Sequence, residues 1–296
     1  MEILNLRMHN LRKLKELPIE KGVFNTEALM LILKRNCLKG TIKEDRVFKY
    51  LDAQEDEVVM SQKISSVMKL NSKNEYKSIE NLVIPDIMVV VDNNIVGFAM
   101  PLIRNHKNIG AIINNDDIDT SIKLKYLKEI GTIIDKVHKT ENSNFKLNFG
   151  DLNEYNFILD SNGEVKVIDL DSSYTGDSNP VNCAYYLLKN KYLSMVNNKY
   201  KSTDKGIIIP SDDTDLYCYN MMVLNAISDR PMFKEDINVY YDYLTYMKSL
   251  GIDKDLIDCF NKIYVPVKNS NPKDYLDTID KEKAKLLKFD NFIKRK

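Results

Sequence analysis

Two aspartates and an asparagine stand at spacings that could do chemistry in residues 149–171 of this 296-residue chain. The string opens Phe149-Gly150-Asp151-Leu152-Asn153-Glu154-Tyr155-Asn156-Phe157-Ile158-Leu159. It resumes as Gly163-Glu164-Val165-Lys166-Val167-Ile168-Asp169-Leu170-Asp171. Singly, Asp and Asn are ordinary turn residues, because their short polar side chains bond their own backbone. Here apolar strand-like runs flank them, and Asp160-Ser161-Asn162-Gly163 supplies a tight turn between the runs. An Asp and an Asn five apart in a loop, with a second Asp beyond a hairpin, suit phosphoryl transfer. One carboxylate would orient and deprotonate an acceptor hydroxyl. An amide oxygen and the other carboxylate would hold Mg²⁺, which prefers hard oxygen ligands, against the phosphates.

The surrounding elements must position that string. Residues 1–17 are charged and Leu-rich and read as one short helix, and the stretch from 17 to about 91 reads mostly as short strands. The dense apolar run at 28–33 and the alternating Arg46-Val47-Phe48-Lys49-Tyr50-Leu51 are two of these strands. Residues 55–70 are roughly helical. Ile87-Met88-Val89-Val90-Val91, the turn Asp92-Asn93-Asn94 and Ile95-Val96-Gly97-Phe98-Ala99-Met100 form a hairpin. After Pro101 the period changes. Residues 121–139 carry a clean i, i+3/i+4 apolar stripe with Thr120 as the expected N-cap, residues 145–149 read as a short strand, and the chain from 215 onward reads helical. The expected fold is therefore α+β, a β-rich first third at 1–103 and a mostly α-helical remainder at 104–296.

Composition removes several classes. Lys plus Arg and Asp plus Glu are 43 each, so no global charge favours nucleic acid or an anionic membrane surface. Cys37, Cys183, Cys218 and Cys259 are far apart, with no CxxC spacing for zinc or a redox dithiol. Scattered thiols suit a reducing, cytoplasmic setting. His9, His106 and His138 are the only histidines, an inventory that argues against a His-based triad and against a three-His metal site. Charge at Glu2, Arg7, Arg12 and Lys13 leaves no signal-peptide core, and no apolar run approaches the ~20 residues of a membrane span. The lysine-rich segment 281–296, with Leu286, Leu287, Phe289, Phe292 and Ile293, reads as the last helix of the fold or as a basic amphipathic surface helix.

The string resembles the protein kinase superfamily, in a divergent form of the bacterial or phage Ser/Thr kinase-like type. Asp151, Leu152 and Asn156 match the catalytic-loop pattern Asp-Leu-x-x-x-x-Asn, and Ile168-Asp169-Leu170 resembles the metal-binding motif written DFG. The resemblance implies a bilobal fold, ATP and Mg²⁺ as cofactors, Asp151 as catalytic base, and Asn156 and Asp169 as metal ligands. Val47-Phe48-Lys49 resembles the third-strand motif, which makes Lys49 the α/β-phosphate contact. Gly97-Phe98-Ala99-Met100-Pro101-Leu102-Ile103 resembles the hinge that holds adenine, with Met100 as gatekeeper and the Pro101 carbonyl and Ile103 N–H as its hydrogen-bonding groups; Leu102 lies between them. Thr214-Asp215-Leu216-Tyr217 resembles the start of the large helix whose Asp braces the catalytic-loop backbone. The resemblance covers about residues 17–265.

The chain also departs from the family pattern. The glycine-rich phosphate loop is reduced to Gly22, and the helix acid expected to pair with Lys49 is Glu57, with Glu55 nearly as good. Phe149-Gly150 replaces His-Arg before the catalytic Asp, which predicts activity independent of loop phosphorylation and leaves Ser172, Ser173, Tyr174 and Thr175 as ordinary polar loop residues. Asp171 replaces the glycine of DFG, a variant shared with small-molecule kinases such as those for aminoglycosides and choline, as is Gly150-Asp151. The expected activity is transfer of the ATP γ-phosphate to a hydroxyl, with protein Ser/Thr first and a small molecule second. Two further readings are a kinase-like binding module with weak or no catalysis, supported by the poor phosphate loop, and nucleotidyl transfer by the same fold.

Overall fold

The computed structural model describes residues 1–6, 30–33, 46–51, 57–140, 146–176, 186, 199–200 and 208–296. Gly22 and Glu55 lie outside them, as do most of the strands expected before residue 46. The chain forms two compact units, Met1–Lys107 with Leu159–Asp171, and Asn108–Ile158 with Ser172–Lys296. The architecture is α+β, with a mixed sheet and a helical C-terminal part.

The first unit is built on a five-stranded sheet of order β1-β4-β5-β3-β2. Its strands are β1 (Glu2–Leu6), β2 (Met30–Leu33), β3 (Arg46–Tyr50), β4 (Ile87–Val91) and β5 (Asn94–Pro101). All neighbours are antiparallel except β1, which pairs parallel to β4 from Glu2↔Ile87 to Leu6↔Val91. Residues 2–6 are thus an edge strand and not the start of a helix, because pairing with the apolar β4 outweighs local helix preference. The turn between β4 and β5 has positive φ at Asp92 (49°) and Asn93 (67°), the geometry a two-residue hairpin demands and Asn and Asp tolerate. Helix α1 (Glu57–Ser72) lies on one sheet face, its Met60, Ile64 and Val67 against Leu51, Met88 and Phe98. Full burial of Val67 and Leu70 contributes about 1.5–3 kcal/mol each. A short helix, α2 (Asn74–Lys77), follows.

The second unit packs α3 (Ile109–Ile113), α4 (Thr120–Lys139), α5 (Asp212–Ser228), α6 (Ile237–Ser249), α7 (Lys254–Asn261), α8 (Lys281–Leu286) and α9 (Phe289–Arg295). The N-cap of α4 is Asp119, whose side chain accepts the Ser121 N–H at 2.9 Å, so Thr120 is the first helical residue and not the cap. Helix α5 starts under a capping box in which Ser211 and Thr214 satisfy each other's backbone donors, three residues before the expected Asp215. Helices α4 and α5 approach closely at Gly131, where an added Cβ would meet the Tyr219 hydroxyl at 2.4 Å. Tyr219 donates to the Leu127 carbonyl at 2.6 Å there. The basic C-terminal segment buries Leu287, Phe289 and Phe292 within its own unit, with Phe292 edge-on to Tyr243 at 5.6 Å. It is the last helical element of the fold, with its lysines on the outside. Among the described residues no helix is long and apolar enough to cross a membrane.

Two strands, β6 (Phe157–Leu159) and β7 (Val165–Val167), flank the turn at 160–163. Residues 146–149 form no strand; Asn148 makes only an isolated bridge to Tyr174.

Candidate functional site

In the first unit the sheet places Lys49 on the inner strand β3, with Phe98 of β5 on one side and Met30 of β2 on the other. β5 closes against it only because residue 97 is glycine: a Cβ there would stand 2.1 Å from the Lys49 carbonyl oxygen. A buried ammonium needs partners to offset its lost hydration. Lys49, 9% exposed, has two: a close ion pair with Asp169 Oδ1 and a 2.9 Å approach to Asp171 Oδ2. Lys63, projecting from α1, lies 3.9 Å from the same Asp171 oxygen. The segment carrying both aspartates is fixed by β7, whose Val167 exchanges backbone hydrogen bonds with Asn81 (2.7 Å) and Val83 (2.9 Å).

Asp169 sits at φ +62°, a left-handed conformation that is strained for a side chain other than glycine and tends to gather at functional sites. Burial alone would lower the Lys49 pKa, but the charges of Asp171 and Asp169 outweigh it and the net shift is upward. Asp169 is pushed up, first by burial and then by the charge of Asp171, against the pull of Lys49. For Asp171 burial also opposes ionisation, yet Lys49 and Lys63 overcome it and the net shift is downward. Two carboxylates sharing one ammonium divide in this way, one favouring the proton and one the charge.

The expected partner acid of Lys49 requires correction. Glu57 is exposed at the first residue of α1 and does not pair with Lys49; two aspartates distant in sequence take that place. Met100, Pro101, Leu102 and Ile103, expected from the resemblance to hold adenine, lie in the same unit. Met100 is buried against Val47 and Val83, and Leu102, Ile103 and Ile168 pack around them. Pro101 ends β5 opposite Arg46. The Ile103 carbonyl is bonded to His106 Nδ1 at 2.8 Å, while its N–H has no partner among the described residues.

In the second unit the Asp151 loop is held chiefly by its backbone. Asp215, 1% exposed on α5, accepts the Phe149 N–H at 3.0 Å and faces His138 Nε2, also at 3.0 Å. This is the bracing role the sequence assigned to Asp215. Asn148 donates its amide to Asp212 at 2.9 Å and exchanges backbone bonds of 2.9 and 2.8 Å with Tyr174. Ser173 and Thr175 are buried beside that bridge, so residues 173–175 are packed chain and not the ordinary polar loop expected. Gly150 has φ 72°, which explains why glycine stands directly before Asp151. Asn153 accepts the Tyr155 N–H at 3.0 Å and so caps the single turn Glu154–Asn156. Asn156 donates its side-chain amide to the Asp151 carbonyl at 2.8 Å. That bond fixes the amide so that its oxygen remains an acceptor, and this oxygen and, in the first unit, the Asp169 carboxylate are each of the hard-oxygen type that Mg²⁺ takes. Among the described residues no three His, Cys, Asp or Glu cluster as a self-sufficient metal site. Mg²⁺ bound through one or two side chains and substrate phosphates needs no such cluster.

Several participants carried no local sequence signal. Glu154 is buried, receives a hydrogen bond from the Tyr186 hydroxyl, and also contacts Asn114 at 3.2 Å. It lines a cavity of about 290 Å³ together with Asp116, Tyr155, Asp229, Arg230 and Lys234. His138, Asn148 and Lys63 likewise act through partners tens of residues away. In comparison with known proteins, no family model and no curated protein matches this chain.

Proposed function

We propose that the chain is an ATP- and Mg²⁺-dependent phosphotransferase with a bilobal protein-kinase-like fold, moving the γ-phosphate to a protein Ser or Thr hydroxyl. One observation carries this reading. Lys49 and Asp169 are 120 residues apart, each singled out by its own motif, and they are direct ion-pair partners. Asp215 supports it independently by bracing the backbone at Phe149.

Asp151 accepts the proton of the acceptor hydroxyl as that oxygen attacks the γ-phosphorus. The bond from phosphorus to the β–γ bridging oxygen breaks and ADP departs with the electron pair. Lys49 neutralises charge on the α- and β-phosphates. Asn156 and Asp169 would hold Mg²⁺, which when bound offsets the charge of the phosphate oxygens. Met100, Pro101, Leu102 and Ile103 seat the adenine, with the Ile103 N–H as donor.

A second acceptor class has its own support. The 290 Å³ cavity shares Glu154 and Tyr155 with the Asp151 loop, and its size suits a small molecule bearing a hydroxyl. Incubation with γ-labelled ATP, Mg²⁺ and a mixture of protein and small polar acceptors tests both. Label in protein supports the first acceptor, and label only in the small-molecule fraction supports the second. Label in neither, with no ATP hydrolysis, contradicts the phosphotransferase reading.

A further inference from the structure

We infer that Asp171, and no acid on helix α1, is the residue that positions Lys49. The inference rests on the phosphotransferase reading and adds a component to it. Both aspartates touch Lys49, but they differ in freedom. The Asp169 side chain is 32% exposed and that of Asp171 is 3% exposed. Asp169 can therefore turn to another ligand, while Asp171 is the fixed partner. Both of its carboxylate oxygens are buried and neither has a well-aligned hydrogen bond among the described residues, a cost that a purely structural aspartate would ordinarily avoid. Its Oδ2 is met by two ammonium groups, Lys49 at 2.9 Å and Lys63 at 3.9 Å.

Helix α1 makes the point from the other side. Met60, Ile64 and Val67 fix it on the sheet, and on that inner side it presents a cation, Lys63, only 13% exposed. An acid there would face Asp171 across a short gap and be repelled. The two carboxylates meet the ammoniums of Lys49 and Lys63, and Glu57 is not among these pairs. Asp171 thus ties strand β3 to helix α1 from within the metal-binding motif itself, and Lys49 is set by a residue two positions from Asp169.

The test measures affinity for a fluorescent ATP analogue, alongside KM and kcat for ATP, on the full chain. Asp171→Asn should weaken nucleotide binding by about 10- to 100-fold, as loss of a supporting partner to a ligand-holding group does, with KM changed more than kcat. Asp171→Glu, which keeps the charge, should retain most of the affinity. The double variant Asp171→Gly/Lys63→Glu returns a carboxylate from the helix side. It should bind far more tightly than Asp171→Gly alone, and it remains informative if Asp171→Asn folds poorly. Wild-type affinity in a folded Asp171→Asn, or a double variant no better than Asp171→Gly, overturns the inference and leaves the phosphotransferase reading standing. A wild-type chain that binds no ATP overturns both.

Discussion

Lys49 in the first unit and Asp151 in the second are held in opposite ways. Lys49 is fixed by charge, with two aspartates at its ammonium and a second lysine behind them. Asp151 is fixed by the backbone around it. Phe149 is bonded to Asp215, Asn148 to Tyr174, and the Asp151 carbonyl to Asn156. The Lys49 cluster rests on ion pairs, whereas the Asp151 loop rests on backbone hydrogen bonds. A base that must meet a hydroxyl at one angle gains from a loop that cannot shift.

This contrast can be broken first at Asp215. Asp215→Ala removes the acceptor for Phe149 and strands His138, and breaking a buried pair of this kind costs about 3–5 kcal/mol. Urea unfolding should show that loss, and turnover should fall with it. A loss under about 1 kcal/mol would mean that the loop holds itself.

A smaller effect sharpens the comparison through pH. Burial by itself lowers the His138 pKa, but the hydrogen bond and charge of Asp215, helped by Asp212 and opposed by Lys146, raise it above the ordinary 6.5. The folded chain then holds that proton more tightly than the unfolded chain. The stabilisation is complete below about pH 6.5 and drains away as pH climbs through the raised value. Between pH 6 and 9 the stability margin of wild type over His138→Gln should therefore shrink. A margin that widens with pH would contradict the pairing.

The smallest effect belongs to Glu57. Because it is exposed and makes no pair with Lys49, Glu57→Gln should change the KM for ATP by less than about twofold, the scale of a solvated surface charge. A tenfold rise would restore Glu57 as the partner.

What the sequence made legible follows the range of the interactions. The β4–β5 hairpin, α1, α4 and the β6–β7 turn are written in local period and turn chemistry, and they form within a few residues of expectation. The local pattern of β1 suits a helix, because its strand identity depends on β4, more than 80 residues on. The Asp215 brace was legible only through the resemblance, which placed a bracing aspartate at the start of that helix. The Asp171 pairing was not. Its departure from DFG was visible, but nothing in a chain of letters places residue 171 beside residues 49 and 63. The same applies to Glu154, whose burial depends on Tyr186 and Asn114.

The most direct test of phosphoryl transfer compares wild type with Asp151→Asn using γ-labelled ATP and Mg²⁺, with ATP affinity measured in parallel. Label transfer should fall by about 10²–10⁴-fold while ATP affinity stays within a few-fold, the signature of a lost general base. Equal rates in the two proteins, or an equal loss of rate and ATP affinity, would contradict Asp151 as the base and the reaction built on it.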